Sequence, residues 1–224
     1  MSKGQELLSK TNSQRESEEY LESLVSSDKA IIAFQVEGSQ GKLAETLSAR
    51  SITFIHLYDQ TKDQAYLILA KATASSAVEV AKLDKSQDQL AISLLGLGRI
   101  HAKLKEHQSA AKYYQEALDN LSNDRPSMLA DVKIHLAASQ YKTGDKSALE
   151  RLINALADLE KADEDSYVKN VWVSGAYMKL AGILATDNPE ESQKHLAKAK
   201  GIISSDPRLT IRLKQWTELS QALK

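Results

Sequence analysis

The chain has 224 residues, among them 28 alanines and 30 leucines but only 9 glycines and 3 prolines, and this composition favours helix throughout. It contains no cysteine, which excludes disulfide scaffolds, thiolate zinc sites and thiol catalysis. With 29 basic and 30 acidic residues the net charge is −1, so no broad positive field is available to attract nucleic acid or an anionic membrane.

The N-terminal region is polar. Residues 1–20 contain no apolar stretch of the kind that a signal peptide needs, and we expect residues 1–15 to be flexible. A helical segment is expected over residues 16–41. The longest uninterrupted apolar run in the chain, 65–70, is six residues long, whereas a membrane span needs about 20. We therefore expect a cytoplasmic protein without a membrane span.

Helix starts are marked along the chain by capping residues and prolines. Asn188-Pro189 and Asp206-Pro207 each place a capping side chain before a proline at the first helical position. Residues 61–64 and 86–89 have the spacing of capping boxes, and Pro126 opens another helix. Between these marks apolar residues recur at spacings of three and four. The pattern predicts about nine helices after residue 15 and no strand.

The segment 91–124 carries the strongest internal pattern. Small residues at Gly98, Ala110 and Ala117 allow two antiparallel helices to approach closely, while Leu94, Leu97 and Tyr114 fill the space beside them. In these positions the segment resembles a tetratricopeptide repeat (TPR) over all of its 34 residues. His101 departs from the pattern, because a larger aromatic or aliphatic residue is usual at its position.

Three weaker copies share the second-helix pattern, in which a small residue is followed by a large one four positions later and a small one three positions after that. They are Ala65, Leu69, Ala72; Ala148, Leu152, Ala155; and Ser192, Leu196, Ala199. The spacings of 45, 38 and 44 residues exceed the 34 of a regular TPR. In period alone the array resembles the longer-period helical-hairpin proteins such as the vesicle-fusion attachment proteins.

The helical spacing of apolar residues along the chain predicts an all-α fold. The resemblance implies a TPR-like right-handed superhelical array of antiparallel helix pairs, with repeats at about 42–85, 86–124, 126–162 and 166–205. Residues 206–224 are expected to form a C-terminal capping helix, because Leu209, Leu213, Trp216 and Leu223 share one of its faces. An irregular helical bundle is the alternative, since helices rich in alanine and leucine match such patterns by accident.

Signals for catalysis or metal binding are weak. None of the five histidines, at positions 56, 101, 107, 135 and 195, has the spacing of a metal motif. Adjacent carboxylates such as Glu18 and Glu19 point about 100° apart on a helix and do not form a catalytic pair. We expect no enzyme activity, no metal and no cofactor.

The TPR resemblance implies a groove lined by the first helix of each repeat. Repeat positions two, five, nine and twelve, which step by three and four along a helix, would face a ligand. The partner-binding groove is predicted to include Ile52, His56, Asp59, Ile92, Leu95, Arg99, Lys103, Val132, His135, Lys142 and Met178. This mixture suits an amphipathic helix or an extended segment with acidic groups. The apolar members could instead pack against other helices of the array.

The function predicted from the sequence is a non-enzymatic protein-protein interaction scaffold or complex subunit that docks a protein or peptide segment. The carboxylate clamp of chaperone-binding TPR domains is not present at the corresponding positions. The alternative is a membrane-traffic adaptor resembling the longer-period attachment proteins. A third hypothesis, a helical enzyme or small-ligand receptor, rests on His56, His101 and His135 falling on neighbouring first helices.

Overall fold

The computed structural model describes residues 1–223, and within them the secondary structure is helical without a strand. None of the helices in this range is long and apolar enough to cross a lipid bilayer. Ten helices follow residue 15, where the sequence predicted about nine. The helices are α1 Lys3–Glu16, α2 Tyr20–Glu37, α3 Gln40–Thr61, α4 Gln64–Ala81, α5 Gln87–Lys103, α6 His107–Asn120, α7 Pro126–Lys142, α8 Ala148–Lys161, α9 Ser166–Leu184, α10 Pro189–Ser205 and α11 Thr210–Ala222.

Consecutive helices form antiparallel pairs, α1 with α2, α3 with α4, α5 with α6, α7 with α8 and α9 with α10. The chain divides into two compact units, Met1–Ser122 (unit 1) and the remainder from Asn123 (unit 2), a division that the repeat pattern did not predict. In unit 1 the first helix α3 also contacts the first helices α1 and α5. In unit 2, α9 contacts α7 and α8, and α11 packs on α9 and α10.

The N-terminus differs from the prediction. Residues 1–15, for which we expected flexibility, lie largely within α1, and Leu8 is 1% exposed. Thr11 is also buried, and its carbonyl oxygen accepts a hydrogen bond of 2.9 Å from the hydroxyl of Ser23 in α2. A few anchoring residues fix an otherwise polar helix, because the contact with α2 supplies the stability that its own apolar content does not.

Helix α2 therefore belongs to a further helix pair rather than standing alone before the repeats. Its buried face carries Ser23, Ser27 and Ala30, all 0% exposed. These residues are spaced by four and three, as in the second helices of the predicted repeats. Small side chains at this spacing let α2 approach its neighbours closely, and serine serves as well as alanine when its hydroxyl has a partner.

The second-helix pattern is correct in three copies and wrong in the first. The predicted residues of α6, α8 and α10 are buried, namely Ala110, Tyr114, Ala117, Ala148, Leu152, Ala155, Ser192, Leu196 and Ala199. In α4, by contrast, Ala65, Leu69 and Ala72 are exposed. The buried face of α4 instead carries Ala70, Ala74 and Ala77. The same spacing of four and three therefore occurs twice in α4, with the second set five residues after the first. Packing buries the second set.

The helix starts follow the sequence signals in part. The hydroxyl of Ser86 accepts a hydrogen bond from the backbone nitrogen of Gln89, and Asn188 caps α10 in the same way through Glu191. The capping box predicted at residue 61 is not formed, because Thr61 is the last residue of α3 and Asp63 caps α4. Pro207 lies in a turn, and α11 begins only at Thr210.

The C-terminal helix α11 packs through a face that agrees with the predicted one at Leu209 and Trp216 and departs from it at Leu213. Leu209, just before the helix, is buried, and the Trp216 ring nitrogen donates a 2.8 Å hydrogen bond to the carbonyl oxygen of Leu196. Arg212, which is not one of the four predicted face residues, donates a hydrogen bond of 3.1 Å to the carbonyl oxygen of Val171 in α9. Leu213, expected on the packed side, is exposed. The guanidinium of Arg212 covers α9, because its Nη2 would lie 3.1 Å from a Cβ atom added at Gly175.

Candidate functional site

Two rows of side chains on neighbouring first helices form the candidate site, which we call the first-helix face of unit 1. On α3 the row is Ile52, His56 and Asp59, and on α5 it includes Ile92, Arg99 and Lys103; all six were predicted from the sequence. Spacings of three, four and seven place each row on one side of its helix. An ion pair between the Asp59 carboxylate and the Lys103 ammonium joins the two rows.

The α3 row is held in place by aromatic side chains. The His56 ring stacks on the Tyr20 ring of α2, with centroids 5.7 Å apart and planes 4° apart. Burial, followed by the nearby carboxylates of Glu18 and Asp59, raises the pKa of Tyr20 to about 12, so its phenol stays neutral at physiological pH. The Lys103 ammonium lies 5.7 Å from the centroid of the Tyr58 ring. Tyr20 and Tyr58 were not predicted as part of the site.

The α5 row departs from the prediction at one position. Leu95 is buried and belongs to the core, so it does not face a ligand. The accessible row runs through Gln89, Ile92, Gly96, Arg99 and Lys103, with alternating spacings of three and four. A Cβ atom added at Gly96 would meet nothing within 4 Å. Sequence reasoning missed Gly96 because it assigned this side of α5 to the neighbouring Leu95.

In unit 2 the predicted residues are not brought together in the same way. Val132 and Met178 are buried in the core, and their prediction as groove residues is wrong. His135 is half-buried and its Nε2 lies 3.7 Å from the Asp131 carboxylate in the same helix. Lys142, at the end of α7, is exposed. Only His135 and Lys142 remain accessible on the predicted α7 row.

The three histidines of the small-ligand hypothesis each have a different neighbour. His56 stacks on Tyr20, and His135 lies beside Asp131. His101 is buried, and its Nδ1 lies 2.5 Å from the Glu106 carboxylate. Within residues 1–223 no three histidine, aspartate or glutamate side chains are grouped as metal ligands would be. The hypothesis of a ligand site built on these histidines gains no support from their positions.

The chemistry available on the first-helix face is that of recognition. Ile52 and Ile92 provide half-buried apolar surface, and the cations of Arg99 and Lys103 lie on the same row of α5. Asp59 compensates Lys103 and fixes its position. A face of this kind binds through apolar contact and charge-assisted hydrogen bonds.

Comparisons with known proteins agree with this architecture. No protein-family model matches the sequence, and no curated protein matches it. Among solved structures, BtubC (BKLC) from P. vanneervenii matches with a TM-score of 0.60 and 18% identity over 87% of this chain and 77% of its own. TPR-like repeats from Podosopora anserina, described as those of a kinesin light chain, match with a TM-score of 0.58 and 14% identity over 90% of this chain and 95% of theirs.

A single-substitution variant of the Podosopora anserina repeats matches with a TM-score of 0.61, 14% identity and coverage of 93% of this chain and 99% of that one. These similarities confirm the predicted all-α, TPR-like fold. At identities below 20% the likeness is one of fold.

Proposed function

We propose that this chain is a non-enzymatic interaction scaffold or complex subunit that docks a protein segment on the first-helix face of unit 1. The observation that carries the proposal is the accessible row on α5 lying beside the α3 row. The two rows are joined by the Asp59–Lys103 ion pair and supported from below by the buried faces of their helices. Because the helix pairs hold this surface in place, a ligand does not have to order its receptor.

The proposed ligand is an amphipathic helix or an extended segment with acidic groups. Its apolar side chains would contact Ile52 and Ile92, and its carboxylates would approach Arg99 and the ring of His56. The open space above Gly96 lets a ligand backbone come close to α5 at the centre of the row. Neither a catalytic group nor a cofactor is needed for this activity.

Gly96 provides a direct test. In Gly96→Gln the new side chain enters open space and improves helix propensity, so the fold is retained while the centre of the face is covered. The matched control is Gly201→Gln in α10, where an added Cβ also meets nothing within 4 Å. Proximity labelling with mass spectrometry in the source cells should show partners lost with Gly96→Gln and kept with Gly201→Gln. Unchanged partners with both variants would refute the proposed docking face.

The membrane-traffic adaptor is the second candidate. The buried small residues Ala70, Ala110, Ala148 and Ser192 are separated by 40, 38 and 44 residues, so the spacing in the structure is still longer than the usual 34. An adaptor of this type should co-sediment with liposomes or with a helical coiled-coil bundle. Absence of binding to both would remove this candidate. A cytoplasmic location and the lack of nucleic-acid binding stay predictions.

A further inference from the structure

The outward side of α2 carries an apolar stripe that the docking face does not explain. Leu21, Val25, Ile32 and Val36 are 64%, 53%, 60% and 85% exposed. At 100° per residue these four side chains fall within an arc of about 60°, with Asp28 on one edge and Lys29 on the other. We call this surface the α2 stripe. Four large apolar side chains on one face of a helix form a contact surface rather than scattered exposure.

The outward faces of the other second helices in unit 1 show that the fold does not require an apolar stripe. When α6 is aligned with α2 by its buried residues, the positions that correspond to the stripe and its edges are Gln108, Lys112, Gln115, Glu116 and Asp119. All five are polar. On α4 they are Ile68, Ala72, Ser75, Ser76 and Glu79, apolar only at Ile68 and Ala72, and Leu83 lies in the turn beyond this helix. The α2 stripe is therefore a feature of this helix and not of the repeat.

We propose that the α2 stripe is a self-association surface, on which α2 packs in parallel against α2 of a second copy of this chain. In a parallel pair with a two-fold axis along the helices, each residue faces its own counterpart. Val25 and Ile32, seven residues apart and both β-branched, then lie on the central line, as favoured in parallel two-stranded helix pairs. Leu21 and Val36 extend the contact towards the two ends.

The charges at the edges of the stripe select the second copy and its direction. Because Asp28 and Lys29 lie on opposite edges, the parallel two-fold axis places Lys29 opposite Asp28 of the second copy on both sides of the seam. The antiparallel two-fold arrangement places Lys29 opposite Lys29 and Asp28 opposite Asp28, which is repulsive. Asp28 also pairs with Arg50 of its own chain, yet its side chain remains 59% exposed and accessible to Lys29 of the second copy.

The size of the stripe sets the strength of the association. The four apolar side chains offer on the order of 400 Å² per chain, about half of what a standard stable interface buries. We expect a reversible dimer with a dissociation constant on the order of 100 μM rather than a permanent one. Self-association goes beyond the proposed docking function, and it uses a helix face that the docking face does not contain.

Cysteine cross-linking tests both the dimer and its direction, because the chain has no cysteine of its own. Val25→Cys in the full chain, oxidised mildly at about 100 μM, should give a disulfide-linked dimer. Lys112→Cys at the corresponding position of α6 is the matched control and should remain monomeric under the same conditions. Adding Lys29→Asp to Val25→Cys places like charges across the seam and should lower the dimer yield about fivefold. Circular dichroism verifies that each variant is folded.

Several results would overturn the proposal. Equal dimer yields from Val25→Cys and Lys112→Cys would show that the cross-links come from random collision. A dimer formed only in a mixture of Val25→Cys with Ile32→Cys would show antiparallel pairing. Sedimentation equilibrium of the wild-type chain should detect dimer in the same concentration range, and a pure monomer up to about 1 mM would leave the stripe to a different partner.

Discussion

Gly96 and Gly98 lie two residues apart in α5 and have opposite surroundings. A Cβ atom at Gly98 would come within 2.5 Å of Cε1 of Tyr114, which is fully buried in α6. A Cβ atom at Gly96 would contact nothing within 4 Å. The sequence-based interpretation of Gly98 as the point where the two helices approach each other is therefore confirmed at atomic distance.

The two glycines predict opposite effects of the same substitution. Gly98→Ala should lower the free energy of unfolding by about 2 kcal/mol, since the Tyr114 ring must move and the overpacking cost exceeds the gain in helix propensity. Gly96→Ala should raise it by up to about 1 kcal/mol through propensity alone. Urea denaturation followed by circular dichroism measures both. Stabilisation by both alanines would contradict the close contact at Gly98.

His101 introduces a pH dependence of stability. Burial lowers the pKa of His101 below its ordinary value of 6.5, while the hydrogen bond with Glu106 partly opposes this shift. As the pH falls below 6.5, the unfolded chain therefore binds a proton that the folded chain still excludes, and stability is lost. Stability from this residue is fully present above that pH.

His101→Gln replaces the imidazole with a side chain that does not titrate in this pH range. At pH 7.5 the variant should be about 1 kcal/mol less stable than wild type, because the hydrogen bond with Glu106 is weakened. The difference in the free energy of unfolding between wild type and variant should shrink as the pH is lowered to 5.5. His195, whose pKa is also lowered by burial, is present in both proteins and cancels in the difference. A difference that grows on acidification would show that His101 gains rather than loses basicity on folding.

At the scale of helices, the sequence predicted the helix pairs α5–α6 and α7–α8 well because their small and large residues admit one register. In α4 the many alanines admit two registers, and only contact with α3 and α5 selects Ala70, Ala74 and Ala77. The candidate site shows the same limit. The spacing pattern assigned both Ile92 and Leu95 to the groove, but Ile92 is half-buried and Leu95 is buried. Which of them is covered depends on how far each neighbouring helix extends across α5.

Helix α1 shows how little apolar surface can dock a polar helix. Leu8 and Phe34 share one small core cluster, and a Cβ atom at Gly4 would lie 2.6 Å from Cε1 of Phe34. Sequence periodicity missed this helix because a single large anchor and two small residues do not produce a recognisable stripe.

The anchoring role of Leu8 predicts a large effect of its truncation. Leu8→Ala should destabilise unit 1 by about 3 kcal/mol, because truncating this buried side chain leaves a cavity in the core. Lys10→Ala, an exposed change in the same helix, should alter stability by less than about 0.5 kcal/mol. Thermal denaturation of both variants gives the comparison. Equal, small effects would mean that α1 contributes little to the folded state.

At the scale of the whole molecule, the helix pairs within each unit make contacts with the next pair along the chain. Cores of this kind are built locally: α8 and α9 contribute Leu152, Leu159 and Leu180 to one cluster, whereas Leu8 and Phe34 belong to another. In such an array stability is close to a sum of pair terms and neighbour terms. A local defect should therefore remain local.

Hydrogen exchange of Gly98→Ala tests this locality. The substitution strains the contact between α5 and α6, so amide protection should fall in these helices and in α3 and α4, which pack beside them in unit 1. Protection in α9 and α10 of unit 2 should stay within about twofold of wild type. Equal loss of protection in α5 and α10 would show that the two units unfold as one cooperative body, and nearest-neighbour stability would then not describe this protein.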